Sequence, residues 1–230
     1  MIQKRIRIDG IPAIVWGKES DKVWLCVHGK MSSKEAFGEL AQIAERKGYQ
    51  TLSFDLPQHG DRAGESIRCD IWNGMRDLTA VGDYVFQHWQ EASLFACSLG
   101  AYFSLHAYAE RGFKKCLLQS PILDMEYLIR QMMNWFGITE ARLAKEHQID
   151  TPIDLMTWDY YQYVLAHPVV QWKIPTHILF AGKDNLQTLD IVSGFVRRFG
   201  CCVTVAENSF HPFMDESDGK IVTNWLSANL

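Results

Sequence analysis

Short, continuously apolar segments alternate along this chain with longer segments in which apolar residues recur every three or four positions. Residues 23–27 are apolar throughout, which is typical of a strand buried on both faces of a sheet. Residues 34–47 carry helical spacing and end at Gly48, a residue that suits the left-handed turn after a helix. The same alternation predicts strands at residues 2–9, 11–17, 50–54, 94–97, 115–119, 176–180 and 201–205, and helices at residues 75–90, 99–111, 186–199 and 215–229.

This alternation predicts an α/β fold, built on a mostly parallel, twisted sheet with helices on both faces. Only Asp9-Gly10 separates the first two strands, so they are expected to form an antiparallel hairpin. The alternation breaks once, between Asp124 and Trp172, where the pattern is helical and no strand is predicted. We interpret residues 124–172 as a helical lid, inserted into a core domain of residues 1–123 and 173–230. Such a lid would cover the carboxyl ends of the strands, where sheets of this kind bind ligands.

Composition narrows the range of functions. The chain has 230 residues, 47% hydrophobic and 22% charged, which is the balance of one globular domain. A net charge of −4 with scattered basic residues argues against nucleic acid as a partner. The chain starts without an apolar signal segment, and no apolar run reaches the roughly 18 residues of a membrane helix, so we expect a cytoplasmic protein without membrane attachment. None of the six cysteines has metal-binding spacing, so we expect reduced, buried thiols and no metal site.

The strongest candidate for chemistry is a sharp connection between a predicted strand and the next helix. It places Ser98 between two small residues, Ala96 and Gly100, which is the pattern of a nucleophile held in a tight strand-to-helix turn. The turn crowds the positions two before and two after the nucleophile. A Cys97 nucleophile would put large side chains at both positions, so we assign the role to Ser98. The Leu99 backbone N–H then lies at a helix N-terminus, where it can stabilise a developing oxyanion.

The other parts of a serine hydrolase site are expected in a set order along the chain. Lys30, after the flexible Gly29, is the candidate for the second oxyanion N–H. Asp184 follows a late strand and is the candidate acid, with Asp124, after the preceding strand, as the alternative or else as a helix cap. His211 lies between the last strand and the last helix, and it is the candidate base.

The remaining histidines lack the position that the base requires. We expect His28 to brace the loop that carries Lys30 and His59 to be structural. The others are expected to pack or to lie on the surface: His88, His106, His147, His167 and His177.

Over nearly its whole length the chain resembles the α/β-hydrolase superfamily, in particular the small bacterial esterases of the cinnamoyl/feruloyl-esterase and serine-aminopeptidase-like branch. The shared features are His28-Gly29, Asp55-Leu-Pro-x-His-Gly60, Ala96-x-Ser-x-Gly100, Ser120-Pro121, Gly182-Lys-Asp184 and His211. The resemblance implies an α/β-hydrolase fold and hydrolysis through an acyl-serine intermediate, without a metal or a cofactor. It also implies that the backbone N–H groups of Lys30 and Leu99 form the oxyanion hole.

Two positions depart from the family pattern, and the second of them bears on the substrate. Ala96 stands where glycine is usual, which the turn tolerates. Lys30 stands where related esterases often have an apolar or aromatic residue; its ammonium could favour an acidic substrate, point to solvent or pair with a lid carboxylate. The predicted lid is rich in methionine and aromatic residues, which suits an apolar or aromatic acyl group.

Three kinds of function fit these residues. The favoured one is hydrolysis of small or medium carboxylic esters. The second is a thioesterase or a peptidase, which would use the same triad. The third is a non-catalytic member of the fold that binds a ligand or partner in the pocket. The expected partner is therefore a small-molecule ester or acyl substrate, and the sequence predicts no oligomeric state.

Overall fold

The computed structural model describes residues 1–230, which form an eight-stranded sheet flanked by helices. The strands are β1 Gln3–Ile8, β2 Ile11–Trp16, β3 Lys22–Val27, β4 Gln50–Phe54, β5 Glu91–Cys97, β6 Cys116–Gln119, β7 Gln148–Asp150, β8 Leu155–Thr157, β9 Thr176–Ala181 and β10 Cys202–Ala206. The helices are α1 Gly38–Arg46, α2 Ile71–His88, α3 Leu99–Ala107, α4 Met125–Trp135, α5 Glu140–Glu146, α6 Trp158–Ala166, α7 Leu189–Phe199 and α8 Asp218–Asn229.

The main sheet has the strand order β1-β2-β4-β3-β5-β6-β9-β10. β1 pairs antiparallel with β2, and β2 pairs antiparallel with β4, whereas every other pairing is parallel. The predicted fold class, a mostly parallel sheet with an antiparallel N-terminal hairpin, is confirmed. Because β3, β5, β6 and β9 are neighbouring parallel strands, the loops that follow them meet at one edge of the sheet.

The central strands are buried on both faces because helices cover both. In β3, Val23, Leu25 and Val27 pack on the side of α2, α3 and α7. Trp24 and Cys26 point to the other side, where α1 and α8 lie. A strand with two covered faces has no reason to alternate polar with apolar residues, so its sequence is continuously apolar. No helix of the structure combines the length and the hydrophobicity that crossing a membrane requires.

Residues 124–172, here called the insertion, separate β6 from β9. They contain α4, α5 and α6, and also β7 and β8, which form a small antiparallel sheet with Ile149 opposite Met156. The expectation of helices alone is therefore wrong for these six residues. A three-residue strand is too short to show the alternation that identifies strands in a sequence.

Helix boundaries differ from the sequence predictions where a capping residue decides them. α2 begins four residues early, because the Asp70 side chain accepts a hydrogen bond from Asn73 N at 2.9 Å. α7 begins three residues late, after Thr188, whose hydroxyl accepts from Ile191 N at 3.3 Å. Side chains that cap a helix in this way satisfy the free N–H groups of the first turn.

A buried ion pair braces the loop after β4. The Asp55 carboxylate accepts from Lys34 Nζ at 2.7 Å, Lys34 N at 2.9 Å and Asp61 N at 2.9 Å. Burial alone would lower the pKa of Lys34, but the carboxylates of Asp55, Asp61 and Glu35 raise it above its ordinary value. A Cβ at Gly60 would lie 2.2 Å from Asp55 Oδ1, so only glycine fits there. The Asp55–Gly60 motif is therefore structural in this chain.

Candidate active site

Ser98 occupies the single-residue turn between β5 and α3, with φ 50° and ψ −120°. This strained backbone conformation persists only where the surroundings hold it. A Cβ on Gly100 would lie 2.3 Å from the carbonyl oxygen of His28, and a Cβ on Gly29 would lie 2.9 Å from Cβ of Ser98. The atom that crowds Gly100 therefore belongs to the loop after β3 and not to Ala96. The loop after β3 and the turn after β5 are in close contact at Ser98.

The structure brings Ser98, His211 and Asp184 into one hydrogen-bonded series. Ser98 Oγ lies 2.8 Å from His211 Nε2, and His211 Nδ1 lies 2.8 Å from Asp184 Oδ2. Because a carboxylate can only accept, Nδ1 carries the proton in the neutral ring, and Nε2 is then free to accept from the serine hydroxyl. The side chain of Asp184 is fully buried and that of His211 is 8% exposed, so water does not compete for the bond between them.

Backbone contacts hold the two loops that carry Asp184 and His211 against each other. Lys183 N donates to Ser209 O at 3.0 Å, and a Cβ on Gly182 would lie 2.6 Å from Cα of Glu207. Gln119, at the end of β6, donates from its side chain to Pro212 O at 3.0 Å. The residue after His211 is therefore anchored to the central sheet, which limits how far the imidazole can move.

The alternative acid, Asp124, lies elsewhere. Its carboxylate caps α4 by accepting from Tyr127 N at 2.8 Å. The second oxygen of Asp184 accepts from Leu186 N at 2.7 Å and Gln187 N at 3.1 Å. These two bonds fix the carboxylate plane and direct Oδ2 toward the imidazole.

Gln187 is a site residue that the sequence reasoning missed. Its buried side-chain oxygen accepts from Leu123 N at 3.0 Å and Asp124 N at 2.8 Å, and its amide nitrogen donates to Asp124 O at 3.0 Å. Gln187 thus ties the loop of Asp184 to the start of the insertion. Nothing in the sequence marks this glutamine as buried, because its partners are more than sixty residues away.

Replacing Gln187 with alanine is expected to lower the free energy of unfolding by about 3 kcal/mol, since it leaves two backbone N–H groups without their acceptor. We also expect kcat/KM on an ester substrate to fall by about tenfold as the Asp184 loop loosens. Chemical denaturation and steady-state kinetics measure the two effects. Gln171→Ala is the matched control because Gln171 is exposed, and it should change stability by less than about 0.5 kcal/mol. Equal stability of the two variants would contradict the bridging role of Gln187.

The backbone N–H groups of Lys30 and Leu99 donate no hydrogen bond within the chain. Both residues line the same cavity as Ser98. The Lys30 ammonium binds the Asp154 carboxylate and the Ile153 carbonyl oxygen, the latter at 3.0 Å. Of the three environments considered for this ammonium, the structure shows the ion pair with a carboxylate of the insertion. The same residue thus presents its backbone N–H beside Ser98 and its side chain to the insertion.

The cavity beside Ser98 has a volume of about 160 Å³ and is mostly apolar. The insertion supplies most of its wall: Met125, Leu128, Ile129, Met132, Trp135, Leu143, Ile153, Asp154, Leu155, Met156, Thr157 and Tyr160. Its only charged groups are Lys30 and Asp154, which are paired with each other. No group of three or more His, Cys, Asp or Glu side chains in the chain is arranged to hold a metal ion.

Two cysteines lie near the site, and both are poor nucleophiles. Burial raises the pKa of the Cys97 thiol to about 12, and burial likewise raises the pKa of Cys69, which lines the cavity, to about 12. Because the thiolate is the reactive form, neither thiol competes with Ser98 at neutral pH.

His28 braces the loop of Lys30. Its Nε2 accepts from Leu56 N at 3.0 Å, and its Nδ1 donates to Gly29 O at 2.7 Å, so both ring nitrogens of the neutral form are used. The ring is 1% exposed. Burial lowers the pKa of His28 to about 4, since a second proton would gain no water and would displace the Leu56 bond.

This buried histidine predicts a loss of stability in acid. In the unfolded chain a histidine takes up its proton near pH 6.5, whereas folded His28 stays neutral down to about pH 4. The unfolded state binds more protons between these values, so the free energy of unfolding should fall as pH falls, by about 3 kcal/mol from this residue. Denaturant titrations from pH 7 to pH 4 measure the slope. His28→Gln should be less stable at pH 7 but should show a shallower slope, and an unchanged slope would contradict the assignment.

Comparisons with known proteins bear on the fold and the family. Residues 18–168 match the family model described as serine aminopeptidase, S33. Among curated proteins, no sequence matches the chain. Similar solved structures include Est1E from Butyrivibrio proteoclasticus with bound ferulic acid, at 16% identity, TM-score 0.78 and coverage of 98% of this chain and 96% of that one.

Two further structures are similar over nearly the whole chain. A protein from Agrobacterium vitis S4 is 18% identical with TM-score 0.78, covering 99% of this chain and 98% of that one. A monoacylglycerol lipase from Paleococcus ferrophilus is 15% identical with TM-score 0.65, covering 99% of both chains. At these identities the likeness concerns the fold, which is that of the α/β-hydrolases.

Proposed function

Because the chain belongs to the serine aminopeptidase (S33) family of α/β-hydrolases, we propose that it is a serine hydrolase that cleaves carboxylic esters through an acyl-serine intermediate. The observation that carries the proposal is the series Ser98–His211–Asp184, with 2.8 Å at each step, at the wall of an apolar cavity. Each member has the hydrogen-bonding role that acyl transfer requires of it.

In the proposed reaction, Ser98 Oγ attacks the ester carbonyl carbon while His211 Nε2 takes the hydroxyl proton. Asp184 holds the imidazole in the tautomer that can accept this proton and stabilises the imidazolium that forms. The imidazolium then gives the proton to the leaving alcohol as the bond to the carbonyl carbon breaks. A water molecule then attacks the acyl carbon while His211 Nε2 takes its proton. The bond between the acyl carbon and Ser98 Oγ breaks, the imidazolium returns the proton to Oγ, and the carboxylic acid is released.

The oxyanion of each tetrahedral intermediate is assigned to the backbone N–H groups of Lys30 and Leu99. Both lack an acceptor within the chain and both residues lie beside Ser98. The Leu99 N–H also lies at the N-terminus of α3, where the helix dipole favours negative charge. Donors of this kind contribute roughly 3 kcal/mol each to transition-state stabilisation.

We propose that residues 124–172 act as a lid on the core of residues 1–123 and 173–230, and that the lid selects the acyl group. The insertion supplies most of the cavity wall, and the Lys30–Asp154 pair joins it to the oxyanion loop. A volume of about 160 Å³ and an apolar wall suit a short aliphatic or a single-ring aromatic acyl group. The similar structure Est1E, which holds ferulic acid, supports the aromatic option.

An ester is favoured over an N-terminal peptide substrate by the charges of the cavity. Recognition of a free α-ammonium group calls for an unpaired carboxylate in the binding site. The only carboxylate that lines this cavity, Asp154, is already paired with Lys30. The cavity therefore suits an uncharged acyl group.

A fluorophosphonate probe tests the nucleophile. We expect it to label the wild-type protein on the peptide that contains Ser98, as located by mass spectrometry, and to leave Ser98→Ala unlabelled. Absence of labelling in a folded wild-type protein would refute the hydrolase proposal.

A substrate panel tests the intermediate and the bond cleaved. p-Nitrophenyl esters of acetate, butyrate, octanoate and cinnamate should give a burst of p-nitrophenol followed by slower turnover when deacylation is rate-limiting. The cinnamate and short-chain esters should have the highest kcat/KM. Aminoacyl p-nitroanilides serve as the comparison, and faster cleavage of these would favour a peptidase instead.

A further inference from the structure

The loop after β3 carries one of the two assigned oxyanion donors and has few backbone hydrogen bonds. Its start is packed, because Gly29 lies against Ser98. Its end is bonded, because Lys34 N donates to the Asp55 carboxylate at 2.9 Å. Between these points the backbone of residues 30–32 forms no hydrogen bond with other backbone groups. The loop is therefore fixed at both ends but not at the donor itself.

Side-chain packing does not fix this stretch either. Met31 is 92% exposed, and its φ of 63° lies in the left-handed region that residues other than glycine seldom adopt. Such a conformation persists only where other contacts hold it. Since neither the core nor the backbone supplies those contacts, the side chain of the neighbouring Lys30 is left to do so.

The Lys30 side chain reaches across to the insertion. Its ammonium donates to Ile153 O at 3.0 Å and pairs with the Asp154 carboxylate. Both partners lie in the turn between β7 and β8, 123 and 124 residues away along the chain. These contacts join the loop after β3 to the tip of the β7–β8 hairpin.

The hairpin tip is well braced, unlike the loop that it contacts. Thr151 N donates to Asp154 O at 3.0 Å, and Asp154 N donates to Thr151 Oγ1 at 3.0 Å. Asp154 Oδ1 accepts from Leu155 N at 2.9 Å, which fixes the carboxylate plane and leaves Oδ2 for the Lys30 ammonium. The carboxylate is thus oriented by its own hairpin before it pairs with Lys30.

We propose that Asp154 is a positioning residue for the oxyanion hole: through the Lys30 ammonium, it holds the Lys30 backbone N–H where the oxyanion forms. The inference rests on the proposed ester hydrolysis, and it gives the insertion a part in the chemical step besides its part in the cavity wall. Negative charge develops on the carbonyl oxygen only as the tetrahedral intermediate forms. A well-placed donor therefore acts on kcat rather than on KM.

The exposure of the ion pair sets the size of the effect. The side chains of Lys30 and Asp154 are 36% and 50% exposed. Ion pairs with this much contact with water change an equilibrium by about fivefold at most. Removal of the pair should therefore slow the reaction severalfold rather than abolish it.

A double-mutant cycle on the full chain tests the inference with p-nitrophenyl butyrate as substrate. We expect Asp154→Asn to lower kcat by about fivefold with KM nearly unchanged. Lys30→Met removes both contacts of the ammonium and should lower kcat by about tenfold. The double variant should be no slower than Lys30→Met, because the pair is already absent there. Asp150→Asn is the matched control, since it removes an exposed carboxylate of the same hairpin, and it should leave kcat unchanged.

Salt provides a readout that a merely structural role of Asp154 would not change. In 1 M NaCl, where charges are screened within about 3 Å, kcat of the wild type should approach that of Asp154→Asn. The variant itself should respond little to the same change, because it has no ion pair to screen. Equal salt responses of the two proteins would overturn the inference, as would additive losses in the double variant or equal losses in Asp154→Asn and Asp150→Asn.

A measurement without turnover separates this inference from the hydrolase proposal. The ¹⁵N order parameter of the Lys30 N–H should be about 0.85 in the wild type and should fall toward about 0.6 in Asp154→Asn. Asp150→Asn should keep the wild-type value, and equal values in the two variants would overturn the inference. A wild-type protein that hydrolyses no ester and resists the fluorophosphonate would refute the hydrolase proposal, whereas the order parameter would still report whether Asp154 restrains Lys30.

Discussion

Replacing Ser98 with alanine is expected to lower kcat for p-nitrophenyl butyrate by about 10⁶-fold. The variant keeps the cavity and the oxyanion donors but has no hydroxyl at the position 2.8 Å from His211 Nε2. Stopped-flow and long end-point assays together cover this range of rates. A circular dichroism spectrum and a denaturation curve should match those of the wild type, because one oxygen is removed from a turn whose shape depends on the surrounding backbone.

Cys97→Ala is the matched control for this prediction. Cys97 is the neighbouring residue and carries the intrinsically more reactive atom, but burial raises the pKa of its thiol to about 12. We expect its replacement to change kcat by less than about threefold. A larger loss in Cys97→Ala than in Ser98→Ala would mean that the wrong residue of the turn was assigned as the nucleophile.

The fold was predictable because its determinants lie within short windows of sequence. The continuous apolar run of β3 and the Asp9-Gly10 turn are each readable from fewer than ten residues. The steric frame around Ser98 was readable for the same reason, although the sequence alone suggested that Ala96 crowds Gly100. The structure shows instead that the His28 carbonyl oxygen does so, and only the packing of two loops could reveal this.

What could not be predicted depends on contacts between distant segments. The sequence left three environments open for the Lys30 ammonium. It could not choose among them, because the partner in the structure, Asp154, lies in the insertion, far from Lys30 in the sequence. Gln187 looks like any loop glutamine until the start of the insertion is brought against it. The strands β7 and β8 form because they pair with each other, since neither is long enough to show a pattern of its own. The insertion is thus where the sequence was least informative, and it is also the part that forms most of the cavity wall.

Replacing Asp184 with asparagine is expected to lower kcat by about 10⁴-fold. Oδ1 of Asp184 accepts two backbone N–H bonds, from Leu186 and Gln187, so the carbonyl oxygen of the asparagine should take that place. Its amide NH₂ group would then face His211 Nδ1, which must become an acceptor. The proton moves to Nε2, and an imidazole protonated there cannot accept the proton of Ser98. Steady-state kinetics on p-nitrophenyl esters measures the loss.

Asp124→Asn tests whether this effect belongs to Asp184 or to any carboxylate near the strand ends. Both substitutions remove one negative charge and keep the side-chain shape. At Asp124 the carboxylate only caps α4, a role that asparagine fills about as well. We therefore expect kcat to change by less than about threefold and the free energy of unfolding by less than about 0.5 kcal/mol. If Asp124→Asn proves the more damaging of the two, the acid of the triad has been misassigned, and the 2.8 Å contact between Asp184 and His211 does not describe the working enzyme.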